Sequence, residues 1–273
     1  MKKPIPYGPW LMIVALVAGA ALLWHYYPRP AAAPAVAVAV TGATPAAGEP
    51  AVAPAPPSYP IEQVPALPDA PTEPLPLLDD SDGLALAALS EAVGSDVGVW
   101  LRAEFLLPRF VATVDALPRK SLTQQIYVAR PVASPLAVAQ ADSRLWLDDA
   151  NAARYEPAVR LFEALDSRRL VSVYVRFYPL LQQAYRDLGV PDRQFNDRLV
   201  EVIDHLLAAP ELTGRIELVP IAGTPRLAFA DPQRESASVG HKAMWRLGPD
   251  RAARVKAKLT GLRELLAGQR PGA

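Results

Sequence analysis

The strongest hydrophobic pattern in the chain lies between residues 170 and 207. Apolar residues there recur at steps of three and four, which is typical of two amphipathic helices that each bury one face. Gly189 and Pro191 end the first helix, and Asp192 is the expected N-cap of the second. Because the connection is short, we expect an antiparallel helix hairpin at the centre of the fold. The two apolar stripes are Leu170, Val173, Tyr174, Phe177, Leu180, Leu181, Ala184, Tyr185 and Leu188, and then Phe195, Leu199, Val202, Ile203, Leu206 and Leu207.

Weaker patterns on both sides of the hairpin predict the rest of a helical domain. Two runs that alternate polar and apolar residues around Gly223 predict a β-hairpin. We therefore expect a mainly α fold (α+β), a helical domain around the hairpin with a small β-hairpin or sheet. The predicted helices are 82–94, 96–116, 155–165, 237–247 and 250–266, and the predicted strands are 125–130, 144–147, 216–221 and 226–230. Within 96–116 we expect Pro108 to start a new helix or to kink one.

An uncharged apolar run near the N-terminus predicts one transmembrane helix over residues 10–27. As a helix this run would be about 27 Å long, which is close to the hydrocarbon thickness of a bilayer. Trp10, Trp24, Tyr26 and Tyr27 bracket it, as aromatic residues do at membrane interfaces. Two lysines in residues 1–9 favour a cytoplasmic N-terminus. The expected location is the bacterial inner membrane, single-pass, with the C-terminal domain in the periplasm.

The same run has a second interpretation as a cleaved signal peptide. Its apolar part is also long enough for a signal sequence, and Ala31, Ala32 and Ala33 offer a cleavage site. The bulky aromatic residues between 24 and 27 favour the uncleaved anchor over this alternative.

Composition divides the remaining chain into a linker and a domain. Of the 30 prolines, 17 precede Ala85, and residues 28–76 contain mostly Pro, Ala and Val. That composition predicts a disordered linker, because it has too little bulky apolar surface to form a core. Residues 77–269 are then the periplasmic helical domain, which is long enough for one hydrophobic core.

Composition also excludes several classes of function. The chain has no cysteine, which excludes disulfides, thiolate metal sites and cysteine nucleophiles. Residues 1–150 carry 9 Lys and Arg against 14 Asp and Glu, and residues 151–273 carry 19 against 14. This small basic surplus indicates solvated helix faces, and we expect no nucleic-acid partner. No cofactor motif or metal-ligand spacing is present, so no cofactor and no metal are expected.

Three residues of the second hairpin helix are candidates for catalysis. Glu201, Asp204 and His205 lie within one helical turn and so share one face, where they could act in acid–base chemistry. The alternative is that His205 is a structural histidine held by a hydrogen bond.

Other polar residues have weaker catalytic or metal-binding patterns. Ser236, Ser238 and His241 lack the motif of a serine nucleophile. The acidic run Asp79, Asp80 and Asp82 lacks the spacing of a calcium loop and fits helix capping better.

A second set of residues is a candidate binding surface. The rings of Tyr174, Tyr178 and Tyr185 with Gln182 and Gln183 could form an aromatic strip for a peptide or glycan, or else be buried with their hydroxyls near the surface. Asn196, Asp197 and Arg198, with Asp231 and Lys242, could fix the packing of helices or line a polar cleft.

Several of these runs together resemble the domain of unknown function 3014 family. They are YPL at 178–180, QQAY at 182–185, LG at 188–189, FNDRL at 195–199, VIDHLL at 202–207 and FADP at 229–232, with LPLLDDSD at 75–82, FVATVDALPR at 110–119, Asn151 and Arg154-Tyr155. The resemblance covers about residues 59–266. It implies a membrane-anchored, mostly proteobacterial protein, and it supplies no catalytic residues.

These observations together predict a non-enzymatic interaction module of the cell envelope. The expected partners are the inner membrane, through residues 10–27, and an envelope protein or peptidoglycan. The alternative from a different class is an envelope hydrolase that cleaves cell wall or peptide through Glu201, Asp204 and His205.

Overall fold

A computed structural model shows a mainly helical body with one small antiparallel sheet. It describes residues 56–65, 67, 73–94, 97–98, 100–123, 126–130, 136–212, 214–223 and 227–268. The predicted transmembrane helix, residues 10–27, lies outside this part of the chain. None of the helices within the described ranges combines the length and hydrophobicity that crossing a bilayer requires.

Along the chain, one pair of strands precedes the two hairpin helices and a second pair follows them. The helices are α1 (Asp82–Val93), α2 (Leu106–Ala116), α3 (Ala150–Ala153), α4 (Glu156–Ala164), α5 (Ser167–Asp187), α6 (Phe195–Leu207), α7 (Pro232–Glu235), α8 (Val239–Leu247) and α9 (Pro249–Leu266). The strands are β1 (Val138–Ala141), β2 (Arg144–Leu147), β3 (Glu217–Pro220) and β4 (Leu227–Phe229). Two short 3₁₀ turns precede α1, at Ile61–Gln63 and Leu78–Asp80.

The two predicted hairpin helices are α5 and α6, but each packs mainly on other helices. They contact each other at few positions, whereas α2 and α9 each lie against both of them. The main core is formed where these four helices meet, with α1 and α4 on its margins. Hydrophobic periodicity identified most of the buried faces of α5 and α6, but Leu188 is exposed, and Val171 and Val200 are buried although they lie outside the predicted stripes. It did not identify the helices that cover these faces.

The four strands form one antiparallel sheet in the order β1-β2-β3-β4. The sheet joins residues 138–147 to residues 217–229, and Leu145 lies opposite Leu218 across the central pair. Its inner face carries a separate apolar cluster around Ile216, Leu218 and Phe229. The predicted β-hairpin is therefore confirmed, as half of a larger sheet.

Strand β1 was not predicted, and the predicted strand at 125–130 is absent from its described part. β1 and β2 are joined by Asp142 and Ser143, whose φ angles of 52° and 60° are those of a tight hairpin turn. Residues 126–130 contribute only an isolated bridge between Leu101 and Ala129. The β-prone residues there pack as an irregular segment in the core.

Of the predicted helical stretch 96–116, α2 covers the part from Leu106, and it begins two residues before Pro108. The carboxylate of Asp82 accepts the backbone N–H groups of Phe105 and Leu106, both at 2.7 Å. Phe105 itself has a left-handed backbone with φ of 54°. A side chain more than 20 residues earlier in the sequence therefore sets where α2 begins, and local periodicity contains no sign of it.

The packed body begins before residue 77. Val64 is buried, and the N–H group of Leu67 lies 3.4 Å from the hydroxyl oxygen of Ser172 on α5. These residues fall within the range 28–76 assigned to the linker. The end of that range is attached to the helical core through apolar packing and hydrogen bonds.

Candidate functional site

The N-terminal residues of α6 hold the segment that leads into the domain. The carboxylate of Asp197 accepts the N–H group of Tyr59 at 2.7 Å and that of Ser58 at 3.1 Å. The side-chain amide of Asn196 donates to the carbonyl oxygen of Tyr59 at 2.9 Å. We call these four residues the N-terminal clamp.

Asn196 also ties the clamp to two other helices. It is fully buried, and it donates a second hydrogen bond to the carbonyl oxygen of Leu266 at the end of α9. Its side-chain amide oxygen accepts a hydrogen bond from the hydroxyl of Tyr174 on α5 at 3.1 Å. All the polar atoms of this side chain are therefore used to join α5, α6, α9 and the entering segment.

The predicted aromatic strip lies inside the protein. Tyr178 and Tyr185 are buried and Tyr174 is half-buried, and burial raises the pKa of all three hydroxyls. Gln182 is buried as well, whereas Gln183 is exposed. The ring bodies therefore lie in the core, as in the second of the two arrangements considered above, but the hydroxyls of Tyr174 and Tyr178 bond to the buried side chains of Asn196 and Gln182 rather than lying near the surface.

Gln182 explains why α6 begins at Phe195 without the predicted Asp192 cap. Its side-chain oxygen accepts the N–H group of Phe195 at 2.7 Å, and its amide donates to the carbonyl of Arg193 at 2.9 Å. The hydroxyl of Tyr178 donates to the same side-chain oxygen. The N-cap position is Gln194, whose side chain makes no capping bond, so the capping group comes from α5.

Arg198 connects α6 to the end of α2. Its guanidinium donates to the Asp115 carboxylate at 2.9 Å and to the Asp115 carbonyl at 2.8 Å. Asp115 is buried and also accepts Arg119, so this pair is shielded from water. The side chain is committed to helix packing rather than pointing into a cleft.

The three candidate catalytic side chains have different partners. Glu201 forms ion pairs with Arg193 and Arg198. Asp204 accepts two hydrogen bonds from Arg263 on α9. Helical spacing places both carboxylates on one side of α6. However, Glu201 pairs with Arg193 and Arg198, whereas Asp204 pairs with Arg263, so the two carboxylates share no partner.

His205 belongs to a pair of stacked histidines. Its ring lies parallel to that of His241, with centroids 4.1 Å apart, and its Nε2 lies 2.7 Å from the hydroxyl of Ser238. The Nε2 of His241 donates to the backbone carbonyl of His205 at 2.9 Å. Partial burial, together with His241 and Arg198, lowers the pKa of His205 below its ordinary value of 6.5. The ring is therefore neutral at physiological pH.

Ser238 and Asp231 are helix caps. The hydroxyl of Ser238 accepts the N–H group of His241, and the carboxylate of Asp231 accepts that of Gln233. Of the remaining candidates, Ser236 is exposed and Lys242 pairs with Glu235 at 3.1 Å.

The acidic run at residues 79–82 also has structural roles. Asp79 and Asp80 lie in an exposed 3₁₀ turn, while Asp82 caps α2 as described above. The described residues contain no group of three or more His, Asp or Glu side chains placed to hold a metal ion.

The packing of two arginines, Arg246 and Arg254, has no signal in the sequence. The guanidinium of Arg246 is buried beside Tyr127 and Tyr155 in the core, and burial raises the pKa of Tyr127 to about 12. Arg254 on α9 pairs with Glu156 and Glu163 on α4, and its hydrogen bond lowers the pKa of Glu163. These partners lie about 90 or more residues apart, so sequence spacing could not reveal them.

An apolar cavity of about 190 Å³ lies in the main core and is partly open. Residues of α1, α2, α5, α6 and α9 line it, together with Phe162 of α4 and residues of the connecting segments. Among these described lining residues, Tyr174 is the one whose side chain carries a polar atom, and its hydroxyl is bonded to Asn196. The sequence contains no sign of this cavity, because the apolar stripes that line it look the same as stripes that pack closely.

Comparison with known proteins gives one match. A search of curated proteins and a search of solved structures each found nothing similar. The model of one protein family matches residues 106–263, which is more than half of the chain and covers α2 through most of α9. The chain therefore belongs to the family described as Protein of unknown function (DUF3014).

Proposed function

We propose that this chain is a single-pass protein of the bacterial inner membrane that displays a non-enzymatic binding module in the periplasm. Residues 10–27 are the anchor, with the N-terminus in the cytoplasm, and the helical body follows the Pro/Ala-rich linker. The module binds an envelope protein or peptidoglycan.

The observation that carries the non-enzymatic role is the state of the candidate catalytic side chains. Glu201, Asp204 and His205 each bond to a different structural partner, and no two of them share a contact that would align them on a substrate. General acid–base catalysis needs groups that converge on one reacting atom. The clamp supports the display role, because it fastens the end of the linker to the body at Asp197.

Reporter fusions test the topology. Alkaline phosphatase, which folds only in the periplasm, is fused after the end of α9 in the full chain, and a cytoplasm-dependent fluorescent protein is fused at the same point in parallel. We expect phosphatase activity and no fluorescence. Fluorescence without phosphatase activity would refute the proposed orientation, and recovery of a soluble mature chain that begins near Ala33 would refute the anchor.

Sedimentation separates the two proposed partners. The full chain in detergent is mixed with purified peptidoglycan sacculi and centrifuged. Cosedimentation that saturates identifies peptidoglycan as the partner. If the chain does not cosediment, an envelope protein remains as the proposed partner. Crosslinking in intact cells from the exposed residue Phe105 tests for that protein, and crosslinking from the exposed residue Gln183 is the control.

One contact favours a hydrolase as the second candidate. The 2.7 Å contact between His205 Nε2 and the Ser238 hydroxyl is within the range of a nucleophile and its base. However, the same hydroxyl caps α8 by accepting the His241 N–H group. If the full chain hydrolysed peptidoglycan or a peptide, and both His205→Ala and Ser238→Ala abolished this with the fold intact, the non-enzymatic proposal would be wrong.

A further inference from the structure

The central cavity results from how the hairpin helices are packed. Because α5 and α6 contact each other at few positions, the space between them is bounded by α2 on one side and α9 on the other. The apolar faces of the four helices meet around a partly open volume of about 190 Å³. Protein interiors normally contain few voids larger than a water molecule. A space of this size is therefore an unusual feature of the fold and is large enough to hold a ligand.

Water does not suit this cavity. A buried water molecule needs two to four polar partners, and the lining described here consists of hydrocarbon side chains and aromatic rings. The hydroxyl of Tyr174 is already bonded to Asn196. The cavity is therefore expected to exclude water and to favour an apolar ligand.

The volume sets the size of that ligand. An engineered apolar cavity of about 150 Å³ holds a benzene molecule, so a cavity slightly larger than that holds about six to eight carbon atoms. The lining offers no partner for a charged or hydroxylated group. An unbranched hydrocarbon segment meets both conditions.

We infer that the cavity between α2, α5, α6 and α9 binds the hydrocarbon chain of a fatty acid or membrane lipid. This inference rests on the proposed function for the source of the ligand, because a domain attached to a membrane has acyl chains within reach. The module then recognises lipid through its core, and its outer surface remains available to another partner.

Photolabelling of the full chain in phospholipid vesicles tests this inference. The first probe is a long-chain fatty acid with a diazirine in mid-chain and a terminal alkyne, and the second is a phosphatidylethanolamine that carries the same chain. After irradiation, mass spectrometry locates the labelled residues. We expect labels on the lining residues of α2, α5 and α6, such as Phe110, Phe177 and Val202.

Two substitutions on α1 form a matched pair. Ala85 is buried and lines the cavity, whereas Ala87 is exposed on the same helix. Ala85→Leu places three additional carbon atoms in the cavity, and Ala87→Leu places them in solvent. We expect Ala85→Leu to reduce labelling of the lining by about tenfold or more, since every buried methylene adds several-fold to affinity. Ala87→Leu should leave it unchanged.

The possible outcomes each support or overturn the inference. Labelling by the fatty acid alone identifies free fatty acid as the ligand, and labelling by both probes identifies lipid acyl chains. Labels confined to exposed residues, or equal labelling of both alanine variants, would overturn it. If circular dichroism shows that Ala85→Leu is unfolded, Val114→Phe fills the same cavity from α2.

These outcomes are distinguishable from failure of the proposed function. The reporter fusions depend on topology alone and do not involve the cavity. Correct topology without labels in the cavity refutes only the lipid inference. Labels in the cavity of a chain with the opposite topology refute only the periplasmic proposal.

Discussion

Replacing Asn196 with alanine should destabilise the folded body more than loss of an exposed amide does. The side chain is fully buried and bonds to Tyr174, Tyr59 and Leu266. Tyr59 is partly exposed, so water can replace its bond, but the Tyr174 hydroxyl and the Leu266 carbonyl would lose a buried partner.

The structure sets the size of this effect. Each buried polar group left without a partner costs about 1–3 kcal/mol, so the two groups together cost about 2–6 kcal/mol. Domains of this kind have an unfolding free energy of about 5–15 kcal/mol in total. The substitution therefore removes a large share of the stability.

Urea denaturation of the full chain, followed by far-UV circular dichroism, measures this loss. Gln183→Ala is the matched control, because it removes an exposed amide from α5 and should change the unfolding free energy by less than about 0.5 kcal/mol. A double-mutant cycle with Tyr174→Phe then isolates the bond between Tyr174 and Asn196. Hydrogen exchange at Ser58 and Tyr59 should become faster in the Asn196 variant.

Equal unfolding free energies for Asn196→Ala and Gln183→Ala would show that the bonds of Asn196 form without contributing to stability. Absence of coupling between Tyr174 and Asn196 in the cycle would show the same for the bond between these two side chains.

Three further substitutions test other contacts by the same denaturation assay. A Cβ atom on Gly240 would lie 2.6 Å from the Cδ2 of buried Leu206 and 3.2 Å from the backbone oxygen of Leu117. Overpacking costs about 1–3 kcal/mol and helix propensity gains about 1 kcal/mol, so Gly240→Ala should destabilise the fold by up to about 2 kcal/mol, and a raised midpoint would contradict this. Folding lowers the pKa of His205, so the stability that its neutral ring contributes is present above pH 6.5 and is lost as the pH falls below that value. His205→Gln should reduce this loss of stability in acid. An identical dependence of the unfolding free energy on pH would disprove the assignment. Asp82→Ala should cost about 1–2 kcal/mol through loss of the cap on α2, whereas exposed Asp80→Ala should not, and equal effects would exclude the capping role.

The sequence predicted elements whose signals are local. The helices α5, α6, α8 and α9 repeat apolar residues at helical spacing, and the glycine after α1 has the left-handed φ of 75° that ends a helix. The start of α2 could not be predicted in this way, because Asp82 fixes it from a distance. Strand β1 was missed because its turn, Asp142 and Ser143, lacks the glycine that usually marks such a hairpin.

The candidate site was harder to predict than the fold. Periodicity placed Asn196 and Asp197 on α6, but their partners lie 137 to 139 residues earlier. The spacing of Glu201, Asp204 and His205 indicated one shared face. Only the folded chain shows that each of the three side chains bonds to a different partner, namely Arg193, Arg263 and Ser238. The cavity depends on the distance between helices, which a pattern of apolar residues does not encode.

The bonds of Asn196 to Tyr59 and Leu266 mean that the body is entered and left at the same place. Gln63 and Gly268 are also in contact there, with room for little more than a hydrogen atom on the glycine. Proteins with adjacent ends tolerate circular permutation. A short bridge from Gly268 to Pro56, with new ends opened between Asp142 and Ser143, should therefore give a chain with the same architecture that no longer includes residues 1–55.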